Sequence, residues 1–146
     1  MKSIYLAGPF FDSDQVQRIE KIEQALDNNL TVGHVFSPRK IKLPEENHNQ
    51  SLWATKIFKI DTDAIKKCDV VLAIIDFDSQ YVDSGTAFEI GYAYSHNKPV
   101  VIFHSKKGIV NLMITGSLRA YLTKISEVKN YNFNNLKTIR YKGPLT

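Results

Sequence analysis

The sequence predicts an α/β fold: a doubly wound, mainly parallel sheet of five strands with helices on both faces. Three observations carry that prediction. Short continuous apolar runs stand at residues 3–7, 69–75 and 99–104, the pattern of strands buried on both faces. Stretches with apolar residues at helical spacing alternate with these runs, and Gly8-Pro9 and Lys98-Pro99 punctuate the junctions. The chain has 146 residues, 43% of them hydrophobic, enough for one compact domain over 1–146 with its own core.

Taken in order, Ser3-Ile4-Tyr5-Leu6-Ala7 forms the first strand and runs into the Gly8-Pro9 turn. Phe10 and Phe11 follow. Two adjacent aromatics at a strand mouth cannot both face one core, so either one of them walls a flat ligand or both cover the helix behind. The loop lacks the G-x-G-x-x-G spacing of a dinucleotide site, which argues against a nicotinamide or flavin cofactor. From Ser13, a candidate N-cap, Val16, Ile19, Ile22 and Leu26 recur at helical spacing until Asn28-Asn29 stop the helix. Residues 30–36 read as a weaker second strand. Ser37-Pro38-Arg39 then opens a polar stretch to Gln50, long enough for a binding loop or lid, in which His48 has no partner at ligand spacing and reads as facing solvent.

Ser51 is the candidate cap of a helix through Trp53, Ile57, Phe58, Ile60 and Ile65. Asp61 lies one turn from both Ile57 and Ile65, so spacing leaves two orientations open, inward or into water. After the 69–75 strand come Asp76, Phe77, Asp78 and Tyr81, then a helix running to Asn97. Residues 99–104 form another buried strand, and Lys106-Lys107-Gly108 a turn. Asn111-Leu112-Met113 and residues 118–122 read as helix or irregular structure, with a last short strand to Ile125; the tail from Tyr131 has no period. With the first strand beside the third, the order is flavodoxin-like (Rossmann-like), and a ligand belongs outside the carboxyl ends of the strands. Tyr5, Phe10, Asp83 and Glu89 then converge on one crevice.

The 19 Lys and Arg against 15 Asp and Glu give a net charge of +4, but they are scattered, so no stripe follows a phosphate backbone and no nucleic-acid partner is expected. One cysteine, Cys68, excludes an internal disulfide. With no His placed to activate it, Cys68 reads as a packed thiol. Nothing at the amino terminus resembles a leader or a membrane span, so a cytoplasmic location with no membrane partner is expected.

The chain is organised around Asp83-Ser84-Gly85-Thr86-Ala87-Phe88-Glu89-Ile90-Gly91-Tyr92-Ala93. The ordinary reading of Thr86-Ala87-Phe88-Glu89 is a capping box, with Glu89 returning a hydrogen bond to the helix start. Here Asp83 precedes it, and the small residues Gly85, Ala87 and Gly91 leave room for a substrate to approach closely, which favours chemistry.

Tyr5-Leu6-Ala7-Gly8-Pro9, the 83–93 motif and Asn111-Leu112-Met113 together resemble the three marks of the nucleoside 2-deoxyribosyltransferases. With the segment from Trp53-Ala54-Thr55 to Asp61, the likeness covers most of the chain. It implies transfer of a 2-deoxyribosyl group from a 2'-deoxynucleoside to a free nucleobase, with retention at the anomeric carbon and no cofactor or metal. Glu89 matches the family's nucleophile, and Tyr5 the residue that hydrogen-bonds it. A carboxylate suits that role because it can trap the oxocarbenium-like sugar as a covalent glycosyl-enzyme. Asp61 and Asp83 match acids that contact base or sugar, Phe10 and Phe11 an aromatic wall, and Gly8 the first substrate loop. Asn111 and Met113 match residues that reach a neighbouring subunit's site, Asn111 at the 5'-hydroxyl; by its residue type alone Asn111 is equally a helix cap. The implied assembly is a homohexamer, a trimer of dimers. Phe10 departs from the tryptophan and Pro9 from the small residue of the best-known branch, and residues 37–50 do not align.

Two other readings compete. A nucleoside 5'-monophosphate N-glycosidase would need a phosphate pocket, for which Arg39 and Arg119 are candidates. A module without chemistry is the other: as a signalling receiver it would use Asp76 at the end of the third strand, but the acidic pair receivers need after the first strand is missing, and as a nucleotide-binding module it would leave Glu89 as a cap.

Overall fold

The structure, a computed structural model, describes residues 1–44 and 49–146. The solvent-facing reading of His48 lies outside the described residues. Five parallel strands, β1 (Lys2–Ala7), β2 (Val32–Phe36), β3 (Val70–Ile74), β4 (Val100–Phe103) and β5 (Leu118–Leu122), make one sheet in the order β2-β1-β3-β4-β5. β1 pairs with β3, Tyr5 opposite Val71 and Ala7 opposite Ala73, as the flavodoxin-like order requires.

Helices α1 (Ser13–Asp27) and α5 (Ile125–Asn130) cover one face, where Ile4 and Leu6 of β1 meet Ile19, Ile22 and Leu26. Helices α2 (Gln50–Lys67), α3 (Ser84–Ser95) and α4 (Leu112–Ser117) cover the other, where Tyr5 and Ala7 meet Ile65, Ile90 and Ala93. The alternation of side chains along β1 therefore assigns Tyr5 to the α2–α3 side. Each fully buried Ile or Leu in these layers contributes about 1.5–3 kcal/mol relative to exposure.

Several expected boundaries move, each for a local reason. α1 is capped by Asp12, whose carboxylate accepts from the Gln15 N–H at 2.8 Å, and not by Ser13. α2 is capped by Asn49, which accepts from Leu52 N–H at 3.0 Å, and not by Ser51. The capping-box reading of Thr86 and Glu89 is displaced as well: Asp83 caps α3, accepting from both the N–H and the hydroxyl of Thr86 at 3.0 and 3.1 Å. Glu89 therefore sits in the second turn, free of any duty to the helix end. α3 stops at Ser95, with Asn97 in the left-handed region at φ 55°. Residues 112–117 are helical and the last strand ends at Leu122, while α5 follows where no helix was expected. The tail is largely irregular yet not idle, since Phe133 is fully buried against the α1–α5 layer.

Candidate active site

β1 delivers Tyr5 to the carboxyl edge of the sheet with its ring fully buried. That ring stacks on Phe36 of the neighbouring strand, centroids 5.5 Å apart and planes 13° apart, which fixes where the hydroxyl points. The hydroxyl donates to Glu89 Oε1 at 2.5 Å. Burial, then the Glu89 charge and the hydrogen bond to it, push the phenol far above its ordinary range, so it stays a donor. Burial also raises the Glu89 carboxyl to about 7; the Tyr5 bond opposes the rise and the Asp61 and Asp83 charges add to it.

The helix α2 turns Asp61 inward. Its Oδ1 is shut off from solvent and has no hydrogen-bond partner among the described residues, and burial lifts its carboxyl to about 6. A buried polar atom left open in this way is a donor's place, or an acid's. Asp63, two residues on, shows the alternative: it faces Lys59 and Lys66 in surface ion pairs. Asp83, at the start of α3, combines its cap with a place near Glu89. Three carboxyl groups and one phenol thus converge from β1, α2 and α3.

At the exit of β1, an added Cβ on Gly8 would stand 3.0 Å from Ile74 Cβ, so only glycine lets the chain pass that close to β3. Phe10 and Phe11 then stack, centroids 6.2 Å apart and planes 17° apart, with Phe11 71% exposed. The Phe11 N–H donates to Gln15 Oε1 at 2.7 Å, so α1 holds the pair outward rather than letting it fold onto the helix. Asn111 and Met113 stand at the amino-terminal end of α4. They line a groove of about 920 Å³ with Tyr81, Tyr94 and Thr146; Asn111 caps α4 through Met113 N–H at 2.9 Å, and Met113 is 73% exposed.

The two candidate phosphate ligands, Arg39 and Arg119, have other partners. Arg39 grips the buried Glu23 through two bonds, at 3.0 and 2.6 Å, and Arg119 donates to Leu136 C=O. Asp76 is completely buried and accepts from Ser105 N–H, Ser105 Oγ and Lys106 N–H at 2.7–3.0 Å, so it is a structural anchor and no phosphate acceptor. Lys106, in the turn after β4, is held at both its N–H and its Nζ, the latter on Phe77 C=O at 2.7 Å. Cys68 is packed, its thiol on Ile65 C=O and pushed up by burial. Sequence reasoning missed Phe36 and Phe77; only the strand register that sets Phe36 opposite Tyr5 identifies the first. Among the described residues no three His, Cys, Asp or Glu side chains are placed to hold a metal ion, and no helix is long and apolar enough to cross a membrane.

The chain is similar to known proteins over most of its length. A solved 2-deoxyribosyltransferase from Bacillus psychrosaccharolyticus is 42% identical, with a TM-score of 0.85 over 96% of this chain and 99% of that one. A CMP N-glycosidase from Clostridium botulinum shares the fold at a TM-score of 0.60 and 23% identity, covering 91% of this chain and 97% of its own. A nucleoside deoxyribosyltransferase of Limosilactobacillus fermentum is 31% identical over 90% of this chain and 86% of its own. With that relative, and with the family model for nucleoside 2-deoxyribosyltransferase matching residues 4–133, the chain belongs to the nucleoside 2-deoxyribosyltransferase family.

Proposed function

We propose that this enzyme moves a 2-deoxyribosyl group between nucleobases by two displacements at the anomeric carbon, with Glu89 as the nucleophile. The observation that carries the reading is the 2.5 Å bond from Tyr5 to Glu89 in a desolvated crevice. In the first step a Glu89 oxygen bonds to the anomeric carbon as the carbon–nitrogen bond breaks, and the departing base takes up a proton. In the second a nitrogen of the incoming base attacks the same carbon, releases the Glu89 carboxylate and gives up its proton. Two inversions give retention. Tyr5 holds the carboxylate in position by its second oxygen, leaving the first to attack.

Asp61 is the acid we assign to the leaving base, because its open Oδ1 and raised pKa suit proton exchange near neutrality. Asp83, held by its cap, contacts substrate from a fixed position. Phe10 and Phe11 wall the base and Gly8 admits it. The glycosyl-enzyme reacts with water unless the acceptor base occupies the pocket, so this wall decides between transfer and hydrolysis. An uncharged nucleoside is the expected substrate, since Arg39 and Arg119 are both committed elsewhere.

Asn111 and Met113 serve the site of a second copy in this reading. The exposed Tyr81, Tyr94 and Leu112 around their groove, at 55–64% exposure, support it. Mixing deoxyadenosine or thymidine with a different free base, followed by chromatography, tests the function. The exchanged deoxynucleoside is expected; release of free base and deoxyribose alone would overturn transfer in favour of hydrolysis.

A further inference from the structure

Phe77 lies next to the buried anchor Asp76 and touches the aromatic wall. Its ring meets Phe11 edge-on, centroids 6.4 Å apart at 67°. Its carbonyl is bonded by Lys106 Nζ at 2.7 Å, and Asp76 takes three donors from Ser105 and Lys106. The end of β3 is thereby locked to the loop after β4. A carboxylate with no exposed surface is an expensive way to tie two loops, and its effect is to leave Phe77 one place to stand. Phe11, itself largely exposed, has Phe10 stacked on it and the edge of Phe77 bracing it. Edge-to-face contact fixes the plane of the braced ring, which a contact with an aliphatic side chain would not.

Building on the transfer reading above, we infer that Phe77, held by Asp76 and Lys106, is a positioning residue for the Phe10–Phe11 wall. It keeps that wall flat against the acceptor base and so keeps water from the glycosyl-enzyme. The function of Phe77 is thus in partition, the share of glycosyl-enzyme captured by base rather than by water. Loss of general stability removes active molecules without changing that share.

The test incubates the full-length protein with deoxyadenosine and increasing hypoxanthine and quantifies deoxyinosine against free deoxyribose. Phe77→Leu, which keeps apolar bulk but loses the ring, is expected to raise hydrolysis relative to transfer roughly threefold to tenfold, the range for losing one aromatic pair. Phe77→Tyr restores the wild-type ratio. Lys106→Met, at an exposed position, shifts the ratio the same way by a smaller factor and serves if Phe77→Leu fails to fold. A wild-type ratio in both Phe77→Leu and Lys106→Met, or in Lys106→Met alone if the first is unfolded, would overturn the inference while leaving transfer intact. A wild-type protein that yields no deoxyinosine at all removes the transfer reading and this inference together.

Discussion

The Tyr5 hydroxyl and the Glu89 carboxylate meet at 2.5 Å although 84 residues separate them. Their bond works against the burial that raises Glu89 to about 7. The proposed nucleophile Glu89 must be unprotonated, while Asp61, the acid proposed for the leaving base and raised to about 6, must hold its proton, so kcat/KM is expected to be bell-shaped with a plateau between about 6 and about 7. Tyr5→Phe removes the influence that favours the charged form, so Glu89 titrates higher, its unprotonated share on the plateau falls and the alkaline limb moves to higher pH. The plateau falls by about tenfold to a hundredfold, the usual worth of a hydrogen bond to a charged group. A pH profile of kcat/KM for both proteins checks it; an unmoved alkaline limb would show that Tyr5 does not tune Glu89.

The same burial makes Glu89 a burden on folding. Its carboxyl holds a proton more tightly in the folded chain than in the unfolded one, where the ordinary value is 4.5. Stability is therefore fully present below about 4.5 and is lost as pH rises through about 7. Glu89→Gln keeps an acceptor for Tyr5 and carries no charge. It is expected to abolish exchange yet resist urea better than wild type at pH 8, by on the order of 3 kcal/mol. At pH 4 the two should unfold alike. Equal midpoints at pH 8 would contradict a strained, buried carboxylate.

The parts of this structure that the sequence makes legible are those fixed by local pattern. β1, β3 and β4 are buried on both faces, so each is an unbroken apolar run. β5 alternates Arg119 and Tyr121 with Ala120 and Leu122 at a sheet edge, and α5 offers Ile125 and Val128 in six residues, too little for a helical period. Glu89 and Asp83 stand in one motif and were visible; the direction of Asp61 was not, because a helix alone does not say which side its sheet lies on. The Asp76–Lys106 lock spans 30 residues and joins two loops, which no periodicity encodes.

Arg39 illustrates a residue whose role reverses once its partner is known. Burial raises the Glu23 carboxyl, but the bonds from Arg39, with Lys40 beside them, outweigh it and hold Glu23 below its ordinary range. Arg39→Met leaves Glu23 buried with Lys40 as its remaining ion-pair partner at 3.1 Å, and is expected to destabilise by about 2–4 kcal/mol at pH 7. Because Glu23 is depressed, that loss should shrink as pH falls below 4.5. The preference for deoxyadenosine over its 5'-monophosphate should not change. If Arg39→Met selectively lost activity on the monophosphate, Arg39 would be a phosphate ligand after all.

The position of Asn111 and Met113 gives the last prediction. Both line the groove beside α4, and neither approaches the Tyr5–Glu89 pair within hydrogen-bonding distance. If they complete a partner's site, Asn111→Ala and Glu89→Ala each inactivate every site of their own homo-oligomer, through opposite halves of it. Unfolding and refolding the two variants together then places both defects in one site of each hybrid pair and leaves the other site whole. Random pairing gives hybrids in half of the pairs, and one site in two is intact in each, so activity should recover to about a quarter of wild type. Asn111→Asp, which keeps an oxygen to cap α4, controls for loss of that helix end. Mixtures that stay inactive, from variants that each remain folded, would place Asn111 in its own subunit's service.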